Sequence, residues 1–254
     1  MHPILFKIGP VTIYSYGVMI ALSVVICAWL LSRDAKIYKI PSDIIYDLTF
    51  WTMVGGILGA RIFYISITWD YFGQNPLEIV MLWHGGLAWQ GGLLGGAWAG
   101  VWFIRRKKLP LKLILDLVAP YIALGQSIGR IGCFLNGCCY GKPVFWGIYF
   151  PVHGSSPDGT VGARLHPTQL YETAGLFLVF CILKIALTKP HHQGMIFVLY
   201  LWLGAVERFI VEFFRADHDI LWMGLSLAQY MALGIMVVGF VLLSRFMPRP
   251  KNSG

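Results

Sequence analysis

Residues 11–31 contain no charged side chain, and six more predominantly apolar runs follow them. A bilayer core about 30 Å thick takes about 20 helical residues to cross, so runs of this length restrict the fold more than any other feature of the sequence. The candidate spans are 11–31, 47–68, 86–104, 111–128, 173–187, 195–214 and 222–244. The fifth is short and is expected to begin before Thr173. Composition agrees, with 57% hydrophobic and 13% charged residues and a mean hydropathy of +0.67, outside ordinary soluble usage. The expected fold class is all-α: a polytopic helical membrane protein with about seven transmembrane helices. No internal repeat or soluble domain boundary interrupts it, so residues 1–254 are expected to form one integral membrane domain with a long outer-side loop at 125–172.

The formal charge of +8 raises nucleic acid as a partner, but the basic residues sit in short clusters between apolar runs, where they orient a membrane protein. No nucleic acid is expected. Arg33, Lys36 and Lys39 follow the first run, residues 105–108 and Lys112 separate the third and fourth, Lys184 and Lys189 lie between the fifth and sixth, and Arg245, Arg249 and Lys251 close the chain. The opposite side has Lys7, Arg130, Lys142, Arg164 and Arg215. The positive-inside rule then puts the N-terminus outside and the C-terminus in the cytoplasm. The opening MHPILFKIGP lacks a basic start, a long apolar core and a small-residue cleavage site, so no segment is expected to be removed.

One stretch combines what a bilayer edge tolerates poorly. GQSIGRIGCFLNGCCYG, residues 125–141, carries five glycines, three cysteines, Arg130 and Asn136 directly after an apolar run. A cation and glycine-rich backbone persist there when buried in protein or lining a cavity, which marks a functional site. Arg130 can grip a phosphate through two parallel hydrogen bonds, while Gly137 and Gly141 let backbone approach an anion. Helix packing through small residues is the other reading of the glycines.

On the inferred orientation the unusual polar residues share one depth: Tyr14 and Tyr16, His84 and Gln90, residues 130–141, residues 166–172, and Arg208, Glu212 and Arg215. A transporter would place its polar site near the midplane, often with repeat symmetry. At about 100° per residue, Arg208, Glu212 and Arg215 fall within roughly 60° of arc, either a functional face or an i,i+4 pair that joins helices. In HGGLAWQGGLLGGAWAG, the spacing of Gly91 with Gly95 and of Gly92 with Gly96 suits close helix approach, whereas Gly85 and Gly86, beside His84, are candidates to contact a lipid headgroup. His166 stands at a helix start in which Thr168 is the expected N-cap. Arg61 is expected to snorkel outward or to pair with Asp70. Cys27 and Cys181 suit apolar packing. Cys133, Cys138 and Cys139 show no Cys/His ligand spacing, so no metal and no cofactor are expected.

The run G-R-I-G-C-F-L-N-G-x-x-Y-G, residues 129–141, resembles the signature of the bacterial prolipoprotein diacylglyceryl transferases, and IYSYG, HGGLAWQGG, RLHPTQLYE and RFIVEFFR follow the family in order over nearly the whole chain. The resemblance implies an enzyme of lipoprotein biosynthesis in the bacterial inner membrane, with its active site toward the outer leaflet. Phosphatidylglycerol would give its diacylglyceryl group to the lipobox cysteine of a prolipoprotein signal peptide, forming a thioether and releasing glycerol phosphate. Arg130, Arg208, His166 and Glu212 are then the catalytic candidates, and Tyr16, His84, Gly85, Gly86, Gln90, Asn136, Gly137 and Gly141 the substrate-binding ones. The family often has histidine where Gln90 stands, asparagine for Cys133 and glutamate for Cys138. Glutamine cannot be a base, which leaves His84, His166 and Glu212 to receive the thiol proton. The competing readings are a transporter or lipid-binding protein without chemistry, and a thiol redox enzyme using Cys138 and Cys139.

Overall fold

The apolar runs become helices, and the structure, a computed structural model that describes residues 2–8, 11–81, 85–150, 164–216 and 221–246, shows where each one starts. The first starts later than expected. Val11–Tyr14 is a strand, β2, paired antiparallel with β1, Ile4–Ile8, with Phe6 opposite Ile13 and Lys7 opposite Thr12. The sequence VTIY is as apolar as the span behind it, but it is β-branched and aromatic, which suits a strand. Helix α1, Ser15–Ile37, follows directly. Next come α2, Ser42–Ile67; a short α3, Trp69–Gln74; α4, Trp89–Arg106; and α5, Leu111–Asn136. After the strands β3, Pro143–Tyr149, and β4, Arg164–Leu165, come α6, Thr168–Leu187; α7, Met195–Glu212; and α8, Leu227–Phe246.

The protein is mostly helical, and α1, α2, α5, α6 and α8 are long and apolar enough to cross a membrane. Helices α4 and α7 have 18 residues each but a different composition: α4 is rich in glycine, and α7 carries Glu207, Arg208 and Glu212. Apolar side chains face outward, Ile62, Trp98, Val237 and Phe240 each by more than half, a surface that a soluble monomer rarely presents.

The chain divides into two compact units, Leu30–Ile114 on the one hand and Met1–Trp29 with Leu115–Gly254 on the other. Within Leu30–Ile114, α2 and α4 meet through glycine. A Cβ on Gly95 would lie 2.3 Å from the Gly55 carbonyl oxygen, and one on Gly91 2.3 Å from that of Gly59. The backbones therefore touch without intervening side chains, the packing role expected for Gly91 and Gly95.

In the other unit, the signature does not leave the membrane helix at residue 128 as expected. Helix α5 continues to Asn136. Its glycines persist in helix because α1 takes up their open faces: a Cβ at Gly129 would meet Ile20 at 3.4 Å, and one at Gly132 would meet Met19 at 3.0 Å and the Tyr16 ring at 3.2 Å. The connection expected over 125–172 shortens accordingly to 137–167. At its far end Thr168 is not the cap but the first helical residue, and its hydroxyl donates to the Cys139 carbonyl at 2.7 Å. Helix α7 is capped by a side chain from another helix: the carboxylate of Asp116 on α5 accepts from the Gly194 N–H at 2.6 Å and the Phe197 N–H at 2.9 Å. Helix α8 starts at Leu227 rather than at 222, behind a reciprocal capping box in which the Gln229 N–H donates to Ser226 Oγ and the Ser226 N–H to Gln229 Oε1.

Candidate functional site

A single carboxylate in an apolar helix draws the site together. Glu172 lies one turn into α6 and is 1% exposed, a position in which an ionised group needs partners. It has three. Arg130 Nε on α5 reaches Oε2 at 2.9 Å, and Oε1 receives Arg208 Nη1 from α7 at 2.9 Å and Arg215 Nη1 at 3.3 Å. Arg208 also forms an ion pair with Glu212, Nη2 lying 2.7 Å from Oε2, the i,i+4 pair expected on that face. Glu212 Oε1 in turn accepts from the Ser226 hydroxyl at 2.7 Å. Arg215 lies beyond the end of α7, so its guanidinium joins the cluster from the turn after the helix and not from the helix face.

The three arginines differ in what they leave open. Arg215 is sealed, with 8% of its side chain exposed, whereas Arg130 and Arg208 keep 28% and 33%. Arg130 uses Nε for Glu172, and its two terminal nitrogens have no hydrogen-bond partner among the described residues. A guanidinium held at its base with a free fork in front can take a phosphate or carboxylate bidentately.

Around this cluster the structure distributes the other expected residues. Tyr16 stands in the first turn of α1 and packs on Gly132. Asn136 ends α5, two residues before Cys138. The amides of Gly137 and Gly141 are already given, to the Phe134 carbonyl at 3.2 Å and the His166 carbonyl at 2.9 Å, so their contribution is to backbone shape. Gly141 has a reason to be glycine: a Cβ there would lie 2.3 Å from the Phe214 carbonyl oxygen and 2.7 Å from both His166 and Thr168. His166 sits among aromatic rings, edge-on to Trp146 at 5.0 Å between centroids and tilted against Phe214 at 5.3 Å, with Nδ1 3.1 Å from the Tyr171 hydroxyl. No contact joins it to the arginine cluster among the described residues.

In the unit Leu30–Ile114, Gln90 is exposed in the first turn of α4, and His84 lies outside the described residues. Gly85 and Gly86 adopt positive φ of 84° and 78°, and their carbonyls accept from Arg61 Nη1 at 2.6 and 3.1 Å. Arg61 is 5% exposed and also donates to the carbonyls of Glu78, Ile79 and Met81, with its guanidinium 5.1 Å from the Phe72 centroid. It neither snorkels nor pairs with Asp70; it staples the segment before α4 to α2. Arg61→Ala would remove the donor these carbonyls share, so thermal unfolding of the purified variant is expected to show a loss of about 1 to 3 kcal/mol. Arg61→Lys should recover little of it, because an ammonium cannot span the same set of carbonyls.

Sequence reasoning missed two things. The first is Glu172, which a search for lone carboxylates in apolar helices would have found. The second is that Cys133, Cys138 and Cys139 converge, with their sulfurs within 4.8 Å of one another. The neighbouring Cys133 and then Cys139 thiols draw the Cys138 thiol below its ordinary pKa.

A model of the prolipoprotein diacylglyceryl transferase family matches residues 3–245. The chain is similar to the phosphatidylglycerol–prolipoprotein diacylglyceryl transferase of Trichormus variabilis, with 36% identity over 246 residues covering 93% of this chain and 86% of the relative. It is likewise similar to that of Staphylococcus haemolyticus, 36% over 249 residues covering 96% and 87%, and to that of Bacillus cereus, 35% over 246 residues covering 93% and 89%.

Proposed function

The chain belongs to the prolipoprotein diacylglyceryl transferase family, and from that premise we propose how its residues carry the reaction. It is a transferase that moves the diacylglyceryl group of phosphatidylglycerol to a prolipoprotein. The acceptor is the thiol of the lipobox cysteine in the signal peptide. The acceptor sulfur bonds to the glyceryl carbon as that carbon's bond to the phosphate oxygen breaks; glycerol phosphate leaves with the electron pair, and the thiol proton passes to a base. Negative charge therefore grows on the phosphate during the step, and donors already aimed at it lower the barrier.

The free fork of Arg130 in front of Glu172 is the observation that carries this reading. Arg130 and Arg208 hold the phosphate, Glu172 and Arg215 hold the two arginines, and Tyr16 and Asn136 border the entering headgroup or acceptor. Glu212, ion-paired with Arg208 and hydrogen-bonded by Ser226, holds Arg208 beside Glu172. The test is direct: purified protein is incubated with labelled phosphatidylglycerol and a lipobox peptide. A thioether-linked diacylglyceryl peptide is expected. Lipid hydrolysis without transfer, or no turnover of any kind, would remove the assignment.

Helices α1, α2 and α4–α8 all cross the cytoplasmic membrane of a bacterium, seven spans with the N-terminus outside, the C-terminus inside and the arginine cluster toward the outer leaflet. At 1.5 Å per residue the 18 residues of α7 reach about 27 Å, and the clusters of lysine and arginine give the direction. In a cysteine-free background, Phe145→Cys should react with an impermeant thiol reagent added to intact cells, and Lys189→Cys should react only after lysis. The reverse pattern would put the arginine cluster at the inner leaflet.

A further inference from the structure

We propose that Cys133, Cys138 and Cys139 form a three-thiolate site for a thiophilic metal ion of the zinc type at the end of α5. Their sulfurs lie within 4.8 Å of one another, and none of the five cysteines is in a disulfide. Zinc–sulfur bonds of about 2.3 Å in a tetrahedral arrangement set sulfurs about 3.8 Å apart, so a small contraction closes the site.

The spacing is unlike that of a zinc knuckle because a helix end makes it. Gly137, with φ 76°, terminates α5 in the left-handed conformation. The Cys138 N–H bonds back to the Cys133 carbonyl, and the Gly137 N–H to the Phe134 carbonyl, each at 3.2 Å. This pair of bonds is a Schellman motif, which brings the side chain after the left-handed residue over the one five positions earlier. Here both are cysteines. Cys139 then adopts φ 62°, which few residues other than glycine take up, and this brings the third sulfur to the pair.

Two fully buried side chains of α6 fix the turn: Gln169 Nε2 donates to the Cys138 carbonyl at 2.5 Å, and Thr168 Oγ1 to the Cys139 carbonyl at 2.7 Å. Support of this kind orients metal ligands before the ion arrives. Simple apolar packing of three thiols requires neither the strained Cys139 backbone nor these bonds. Cys138 and Cys139 are partly exposed, so an ion can enter. Three soft donors without a carboxylate or imidazole in the group select a thiophilic ion over magnesium or calcium, and the fourth tetrahedral position is left for water.

The test uses full-length protein in a Cys27→Ala, Cys181→Ala background under a phosphine reductant, with Cd2+ as the spectroscopic probe and Zn2+ as competitor. The expected result is a sulfur-to-cadmium charge-transfer band that saturates at one equivalent and is displaced by Zn2+. Cys138→Ser and Cys139→Ser should each weaken binding by more than about tenfold while keeping the thermal transition. Cys133 is buried, so its serine variant is supporting and not decisive. Absence of the band, or a band unchanged in both decisive variants, overturns the proposal. So does a wild-type protein, purified without reductant, that has lost two hydrogens in mass and two reactive thiols, since the cluster would then be a disulfide pair.

Discussion

Arg130→Ala is expected to lower diacylglyceryl transfer by about two to three orders of magnitude with little change in thermal stability. Removing one preorganised donor from a developing oxyanion typically costs about 3 to 4 kcal/mol in the transition state, and the terminal nitrogens of Arg130 have no hydrogen-bond partner among the described residues. Glu172 keeps Arg208 and Arg215 at 2.9 and 3.3 Å when Arg130 is gone, so the buried carboxylate stays compensated. Arg208→Ala should fall as far in rate but also lose stability, because Arg208 bridges Glu172 and Glu212. Lysine at either position restores little, since a point charge does not reproduce the planar fork. Initial rates at saturating lipid, read beside unfolding temperatures, separate the two variants. Near-normal turnover in Arg130→Ala would take that residue out of the chemistry.

Glu172→Ala should be the most destabilising substitution in the cluster. It leaves three guanidiniums facing one another across a site whose centre is 1% exposed, and breaking a buried ionic network from one side costs about 3 to 5 kcal/mol. Glu172→Gln preserves the shape and removes the charge, so it tests electrostatics apart from packing. It too should fold poorly and turn over slowly, because an amide cannot neutralise Arg130, Arg208 and Arg215 together. Glu172→Asp should retain more of the fold, at the cost of the Arg130 contact. A Glu172→Gln protein with wild-type unfolding temperature and rate would show that the arginines are held by something other than this carboxylate.

The helices were legible wherever an apolar run was the whole signal, as in α2, α6 and α8, and Arg130 and Arg208 stood out because intramembrane arginine is expensive. Boundaries failed where one local pattern served two structures. Residues 11–14 are apolar enough for a span and β-branched enough for a strand, and pairing with residues 4–8 decided between them. Glycine at 129 and 132 read as the end of a helix, and only the neighbouring α1 supplied the contacts that keep α5 going. The role of Glu172 depends on residues from α5, α7 and the turn after it, which no window of sequence contains. Arg61 was misplaced for the same reason: its partners are backbone carbonyls of residues 78–86, which carry no side-chain signature.

The backbone near Gly141 also governs how the protein can change over time. The Gly141 N–H bonds to the His166 carbonyl at 2.9 Å and the His166 N–H to the Lys142 carbonyl at 3.0 Å, so residues 141–142 and 166 form a closed neck. Loop-closure entropy rises only with the logarithm of length, about 0.6 kcal/mol for each doubling. By that term alone, lengthening the connection between β3 and β4 costs little. The positions that tie the neck, Gly141 first among them, are not free to diverge, and neither is Trp146 where it packs edge-on to His166.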